Sequence, residues 1–282
     1  MTKFLPPFII LSAFLFSCTA GEIKVDAKES ASHYKLGLEF AQMSLYKNSL
    51  EEFDLALKHD PGNQNARRKK GLVHFGLKQY DAAETAFQNV LEVEPDNVQV
   101  HVNLGMVFYA KKQADKARKQ WEHAITLHEN DNDSKAFNNI GNLYKIDKNF
   151  PKAIENYRQA LAQEPANSTY LNNLGDSFRL QGDLKKAEDI FQQSLTANPK
   201  GMLTHFNLGM LYQGQKKHAK AITAFQNSLA VNPYHTEAHF QIALIHFLQK
   251  DKTSALHAIE NALKAQPDNP KYRELLSKVE SS

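Results

Sequence analysis

Residues 134–167 read SKAFNNIGNLYKIDKNFPKAIENYRQALAQEPAN, and residues 168–201 repeat their pattern as STYLNNLGDSFRLQGDLKKAEDIFQQSLTANPKG. Both stretches carry glycine at their eighth position, alanine at their twentieth and proline at their thirty-second. Apolar residues recur at the i, i+3, i+4, i+7 spacing of an amphipathic helix on both sides of a polar turn, such as Gln181-Gly182-Asp183. The pattern predicts a pair of antiparallel helices, used twice in succession.

The same period of 34 residues runs through most of the chain, with one slip of two residues near its middle. It is marked by the prolines Pro61, Pro95, Pro165, Pro199, Pro233 and Pro267 and by the glycines Gly37, Gly71, Gly105, Gly141, Gly175 and Gly209. A glycine inside a helix costs about 0.5–1 kcal/mol relative to alanine, so six of them need a packing reason. We expect each glycine to let the backbones of the two helices touch, opposite the alanine of the second helix. Because one helix pair cannot bury its own apolar face, neighbouring pairs must stack.

This combination of Leu/Ile-Gly, aromatic, alanine and closing proline resembles the tetratricopeptide repeat. The resemblance covers seven units: 30–63, 64–97, 98–131, 134–167, 168–201, 202–235 and 236–269. Residues 270–282 carry apolar residues at helical spacing and are predicted to form a C-terminal capping helix. The expected fold is all-α, a right-handed superhelical solenoid of seven helix pairs plus the cap.

Composition and motifs exclude several classes of function. The chain has 34 lysines and arginines against 31 acidic residues, with the signs interspersed, whereas a nucleic-acid reader concentrates its basic residues. A single cysteine excludes an internal disulfide and a Cys-x-x-Cys zinc site. His235 and His239 have a zinc-protease spacing, but Thr236 stands where that motif needs glutamate. We predict no catalytic residue, no metal, no cofactor and no small-molecule substrate.

The N-terminal segment is predicted to be a targeting signal. Lys3 precedes an apolar run over residues 4–16, which is shorter than the roughly 20 residues that span a bilayer, so residues 1–17 fit a signal peptide. The run ends at Cys18 and resembles the lipobox of bacterial lipoproteins, which implies a lipidated Cys18 and a flexible tether over 18–29. Because Thr19 is not aspartate, the resemblance implies an outer-membrane lipoprotein facing the periplasm. Cleavage after Ala20 is the alternative, and it would give a soluble periplasmic or secreted protein.

The tetratricopeptide resemblance also implies a binding groove, because in that family the first helices line a concave face and an asparagine two residues before the glycine points into it. The implied groove residues are Asn103, Asn138, Asn139, Asn142, Lys145, Asn172, Asn173, Asp176, Arg179, Asn207 and Gln241. A basic end would consist of Lys35, Arg68 and Lys69. An exposed apolar end would consist of Phe206, Met210, Phe240, Leu244 and Phe247. An extended peptide or a helix would lie in such a groove.

The expected function is a non-catalytic, membrane-anchored scaffold that binds an envelope protein or peptide. The order of lipobox, polar tether and repeat array resembles the pilotins, small repeat lipoproteins of type IV pilus assembly, and this implies a secretin as partner. One alternative is an adaptor for peptidoglycan hydrolases. Another is a soluble periplasmic or secreted chaperone.

Overall fold

The structure is a computed structural model, and it describes residues 25–127 and 133–282. These residues form fifteen α-helices and no strand, which confirms the all-α prediction of seven helix pairs and a terminal helix. The predicted signal peptide and Cys18 lie outside the described residues. No helix in the described ranges is long and apolar enough to cross a membrane.

The helices follow the predicted pairs, with odd-numbered first helices and even-numbered second helices in repeats 1 to 7. They are α1 (Ala27–Gln42), α2 (Tyr46–His59), α3 (Gln64–Gly76), α4 (Tyr80–Leu91), α5 (Val98–Ala110), α6 (Ala114–Thr126), α7 (Asp133–Ile146), α8 (Phe150–Gln163), α9 (Ser168–Gln181), α10 (Leu184–Ala197), α11 (Met202–Gly214), α12 (His218–Val231), α13 (Thr236–Leu248), α14 (Lys252–Ala265) and α15 (Pro270–Glu280).

The chain divides into two compact units, an N-terminal unit that ends at Leu77 and a C-terminal unit that runs from Lys78 to Ser282. The N-terminal unit contains α1 to α3, around a core of Phe53, Ala56 and neighbouring apolar side chains. The C-terminal unit contains α4 to α15, in which each helix packs against the next along the chain.

The predicted tether is too long, because α1 begins at Ala27 rather than after residue 29. Asp26 caps this helix, since its Oδ1 accepts a hydrogen bond of 3.1 Å from the backbone N–H of Glu29. The first three helical residues therefore belong to repeat 1.

Prolines shape the turns that join one repeat to the next. In the turn 164–167, Pro165 holds the second position, and the backbone N–H of Asn167 donates to the carbonyl of Glu164 over 3.1 Å. The side chain of Asn167 then caps α9 by accepting from the N–H groups of Thr169 and Tyr170. One short motif thus ends a second helix and starts the next first helix.

The turns inside each repeat need one residue in the left-handed backbone region. Gly182 fills this position in repeat 5, with φ of 95°. In the other repeats a residue with a side chain fills it, at φ between 58° and 62°: Ser44, Lys78, Lys112, Lys148, Lys216 and Lys250. This conformation costs a residue other than glycine roughly 1–2 kcal/mol. Lysine therefore recurs at a strained position.

The repeated glycines make room for an aromatic ring, not for a neighbouring backbone as the sequence suggested. A Cβ atom on Gly141 would lie 2.7 Å from Cε1 of Tyr157, and one on Gly209 would lie 2.4 Å from Cε1 of Phe225. Both rings come from the second helix of the same repeat and are fully buried. The expectation about backbone contact was wrong because the ring, four residues after the alanine, is what reaches the glycine.

The core of the C-terminal unit continues to its last helix. Tyr272, Leu275 and Val279 of α15 are buried in the same cluster as the rings of repeats 4 to 6. Since α15 covers the last helix pair, it occupies the place predicted for the cap.

Candidate functional site

The predicted groove residues of repeats 3 to 7 lie on the first helices of the C-terminal unit, namely α5, α7, α9, α11 and α13. We call the surface that these helices share the first-helix face. Asn103, Asn139, Asn173, Asn207 and Gln241 occupy the same position in successive helices.

Four of the asparagines form two cross-helix pairs. Asn173 Nδ2 donates to Asn138 Oδ1 over 2.9 Å, and Asn207 Nδ2 donates to Asn172 Oδ1 over 3.0 Å. Each bond runs from one first helix to the preceding first helix and joins residues 35 apart. The pairs hold α7, α9 and α11 in register. Because an amide has two donors and two acceptor lone pairs, each pair retains hydrogen-bonding capacity for a ligand.

The pairing does not extend to the ends of the asparagine row. Asn139 and Gln241 have no asparagine at the equivalent position of the preceding first helix. Val102 occupies that position for Asn139, and Phe206 occupies it for Gln241. Asn139 is half-buried, whereas Gln241 is buried and donates to Glu237 on its own helix over 2.8 Å. Of the five residues in this row, Asn173 and Asn207 therefore make the cross-helix bond.

Asn103 on α5 carries an unused donor. Its Oδ1 accepts from Gln99 Nε2 over 3.1 Å. Its Nδ2 is buried and has no hydrogen-bond partner within the ranges that the structure describes. A buried amide N–H without a partner costs free energy, so a ligand carbonyl would stabilise this position.

The charged residues of the predicted groove form one ion-pair cluster. Asp176 accepts from Arg179 Nη2 over 2.7 Å and lies 3.3 Å from Lys145 Nζ. The Asp176 side chain is only 14% exposed, so its charge is largely balanced within the protein. The two cations against one carboxylate leave a net positive charge at this point of the face.

Asn142 is held by a residue that the sequence did not place in the groove. The Tyr157 hydroxyl, from the second helix α8, donates to Asn142 Oδ1 over 2.7 Å. Burial raises the pKa of the Tyr157 hydroxyl, with the charge of Asp176 adding to the shift. The hydroxyl therefore stays protonated and acts as a donor that orients the amide.

The predicted apolar end differs from expectation at Phe240. This ring is only 6% exposed, because Tyr272 of α15 stacks on it at 5.2 Å and Lys271 Nζ lies 4.1 Å from its centroid. Phe206 packs on the ring of Phe225 at 5.4 Å and is half-buried. The other members, Met210, Leu244 and Phe247, are also half-buried against the core. The prediction of an exposed apolar patch is wrong at Phe240, since the capping helix covers it.

The predicted basic end lies in the N-terminal unit. Lys35 is exposed on α1, and Arg68 donates to Asn65 Oδ1 over 2.8 Å on α3. Lys69 lines a cleft of about 400 Å³ together with apolar residues that include Leu38 and Val73. Within this unit the three cations therefore have separate surroundings.

A small cleft brings the paired asparagines together with residues that the sequence did not indicate. It has a volume of about 220 Å³ between the starts of α9 and α11, and Asn172 and Asn173 line it. Thr169, Lys200 and Leu203 also line it, and Leu203 is 54% exposed. Thr169 and Leu203 are the second residues of their first helices, and Lys200 lies in the turn before α11. This shared repeat position could have indicated them from the sequence. The cleft offers amide, hydroxyl, ammonium and apolar contacts at one place.

The fold and the site together define a solenoid of antiparallel helix pairs with an amide-lined face on its first helices. Three sequence profiles described as Tetratricopeptide repeat match the chain, over residues 34–89 and 142–201, 96–163, and 212–279. Together they span most of the sequence, and the chain belongs to the tetratricopeptide repeat family. No curated protein matches it at the sequence level.

Solved structures of the same fold come from several sources. A chain of the APC/C hetero-tetramer Cut9–Hcn1 is 20% identical with a TM-score of 0.72, over 89% of this chain and 48% of that one. The chain thus spans about half the length of that relative. Pseudomonas aeruginosa PilF is 16% identical with a TM-score of 0.65, over 76% of this chain and 97% of PilF. A tetratricopeptide repeat protein of Parabacteroides merdae is 14% identical with a TM-score of 0.68, over 89% and 99% of the two chains. At these identities the likeness concerns the fold.

Proposed function

We propose that this protein is a non-catalytic scaffold that binds an envelope protein through an extended segment on its first-helix face. The observation that carries the proposal is the pair of asparagine bridges, which leave amide groups beside a cleft of about 220 Å³. An amide both donates and accepts, so it matches the alternating N–H and C=O groups of a peptide backbone. The tetratricopeptide fold, whose members are commonly protein-binding scaffolds, supports the same class of function.

Two further observations on this face fit a peptide ligand. The buried Nδ2 of Asn103 lacks a partner in the described residues, which suits a carbonyl oxygen. The excess positive charge at Lys145, Asp176 and Arg179 suits an acidic side chain of the ligand. We therefore propose a ligand with a free main chain and at least one carboxylate.

The cellular role that we propose is that of a lipoprotein anchored through Cys18 in the outer membrane and facing the periplasm. The sequence of residues 1–29 motivates the anchor, and the order of lipobox and repeats resembles the pilotins of type IV pilus assembly, with a secretin as partner. The fold shared with PilF is compatible with this role. An adaptor for peptidoglycan hydrolases and a soluble periplasmic or secreted chaperone are the alternatives.

The test is affinity capture from crosslinked envelopes of the source bacterium, comparing the wild-type protein with an Asn139→Ala/Asn173→Ala/Asn207→Ala variant. Retained proteins are identified by mass spectrometry. The matched control replaces three asparagines of second helices, in an Asn89→Ala/Asn156→Ala/Asn227→Ala variant. We expect the groove variant to lose its partner by tenfold or more, and the control to retain it.

The identity of the lost partner decides between the roles. Loss of a secretin or pilus component supports the pilotin role, and loss of wall hydrolases supports the adaptor instead. Equal retention by both variants would show that the asparagines only hold the helices together. A Cys18→Ala variant that stays membrane-bound and functional would contradict the lipid anchor.

A further inference from the structure

Lysines concentrate at one edge of the C-terminal unit, where the turns inside the repeats lie. We call this surface the turn edge and define it by segments 111–116, 147–152, 181–186, 215–220 and 249–254. These segments carry twelve lysines against four aspartates, a formal charge of +8, whereas the whole chain carries +3. The described turns between repeats, at the opposite ends of the helices, show no such excess of lysine. Together, 92–97, 162–167, 196–201, 230–235 and 264–269 hold two lysines against five acidic residues, three of them in 92–97.

Basic residues of the second helices connect one repeat to the next beside the turn edge. Arg118 of repeat 3 lies 3.5 Å from Asp147 in the turn of repeat 4, and its guanidinium lies 4.9 Å from the centroid of Tyr144. Arg158 of repeat 4 likewise lies 5.7 Å from the centroid of Phe178 in repeat 5. Successive repeats are therefore in contact beside the turn edge from repeat 3 to repeat 5.

One row of lysines on this edge stands at the strained left-handed positions. Lys112, Lys148, Lys216 and Lys250 have φ of 60°, 58°, 59° and 62° and are exposed. None of the four forms a side-chain hydrogen bond or ion pair with the residues that the structure describes. Glycine or asparagine would suit this backbone better, so the turn itself does not explain a lysine here.

A second row of lysines is held in place by aromatic rings. At the same position of four repeats, a lysine Nζ lies 5.2–5.6 Å from the centroid of a ring eight residues earlier. The pairs are Lys116 on Phe108, Lys152 on Tyr144, Lys186 on Phe178 and Lys220 on Tyr212. All four lysines remain exposed. At exposed sites each such contact is worth about 0.5–1 kcal/mol, so the rings favour one orientation of these ammonium groups at the surface.

Apolar side chains accompany the lysines at the ends of the first helices. Ile146, Leu180 and Leu248 share one repeat position immediately before the turn, and they are 60%, 43% and 62% exposed. Tyr109, one position earlier in repeat 3, is 43% exposed. Single exposed apolar residues are ordinary, but a row at one repeat position beside two rows of lysines is an amphipathic surface.

We propose that the turn edge docks on the surface of an anionic lipid bilayer. The lysines would bind headgroup phosphates, and Ile146, Leu180 and Leu248 would enter the interface between headgroups and acyl chains. A nucleic acid would match the charge but would leave the apolar row in water, so the lipid surface fits both features. Docking would use the turns and the adjoining ends of the first helices, away from the paired asparagines and their cleft, and would not require the lipid on Cys18.

The test uses the full chain in a Cys18→Ala background with a new cysteine, Leu180→Cys, that carries an environment-sensitive fluorophore. We expect a blue shift of its emission with phosphatidylglycerol-rich vesicles and none with phosphatidylcholine vesicles. The same fluorophore on Ala166→Cys, in a turn between repeats, should not respond. This placement separates docking of the edge from insertion of the apolar N-terminal segment, which would leave both labels in water.

Charge variants with a matched control complete the experiment. Each lysine near an anionic surface is worth about fivefold in binding, so Lys112→Gln/Lys148→Gln/Lys216→Gln should weaken vesicle binding on the order of 100-fold. Lys135→Gln/Lys200→Gln/Lys264→Gln removes the same charge away from the edge and should change it several-fold at most. Equal weakening by both variants, or a response at position 166, would overturn the proposal. So would soluble poly-glutamate or DNA that shifts the label at position 180 as strongly as the vesicles do.

Discussion

At the scale of single residues, the glycines of this chain differ in whether they have room for a side chain. Alanine substitution should therefore change the free energy of unfolding in opposite directions at two of them. In Gly209→Ala, the new Cβ would lie 2.4 Å from the buried ring of Phe225, and overpacking of this kind costs about 1–3 kcal/mol. In Gly214→Ala, at the end of the same helix, the Cβ meets nothing within 4 Å, and relief of glycine's conformational entropy should stabilise by about 0.5–1 kcal/mol. Urea unfolding of both variants measures the difference. Unchanged or increased stability of Gly209→Ala would contradict the ring packing.

Histidines at one repeat position illustrate what the sequence leaves open. His101, His205 and His239 lie at the same position of three first helices, and each Nε2 lies 2.7–3.0 Å from the carbonyl of the proline six residues earlier. Each therefore satisfies a turn carbonyl. The spacing to the proline was visible, but the direction of the ring depends on its side-chain rotamer, which periodicity does not specify.

At the scale of helices and turns, the junction of repeats 4 and 5 should contribute to stability in a pH-dependent way. The hydroxyl of Ser134, and then the amide of Asn167, lower the pKa of Glu164 by donating to its carboxylate. A lowered folded-state pKa gives stability that is present above the ordinary value of about 4.3 and is lost as pH falls through the folded value. Glu164→Gln should therefore lose less stability than wild type between about pH 5 and pH 3.

Chemical denaturation across that pH range measures the effect. Glu155→Gln is the matched control, because Glu155 is exposed on the adjacent helix α8 and shares none of these contacts. Identical acid dependence of Glu164→Gln and wild type would show that the turn cluster is not coupled to folding.

At the same scale, the sequence predicted the helices better than it predicted where they begin and which side chains bond between them. The 34-residue period predicts both helices of every repeat, because each helix must bury one apolar stripe and the stripes recur with that period. The start of α1 at Ala27 was missed, although Asp26-x-x-Glu29 is a capping signature that could have placed it. The bonds Asn173–Asn138 and Asn207–Asn172 could not be predicted, because they depend on the offset between neighbouring helices rather than on the pattern within one.

At the scale of the whole molecule, the C-terminal unit should lose stability locally when its cap is damaged. In a stack of repeats each pair is stabilised mainly by its neighbours, so a defect spreads only as far as nearest-neighbour coupling carries it. Tyr272→Ala would remove a ring that is 3% exposed and that covers Phe240 at 5.2 Å, a loss of about 3–5 kcal/mol for a buried aromatic. We expect amide hydrogen exchange to accelerate in α13 and α14.

The helices α7 and α9 should keep their protection in the same variant, because α7 packs mainly on α6 and α8, and α9 mainly on α8 and α10, all in repeats that do not adjoin the cap. Two asparagine bridges also hold α7, α9 and α11 in register. The peptide binding that we propose for this part of the first-helix face should then survive the loss of the cap. Uniform acceleration of exchange from α5 to α15 would instead show that the unit unfolds as one cooperative body, in which the amide-lined face and the cap cannot be separated.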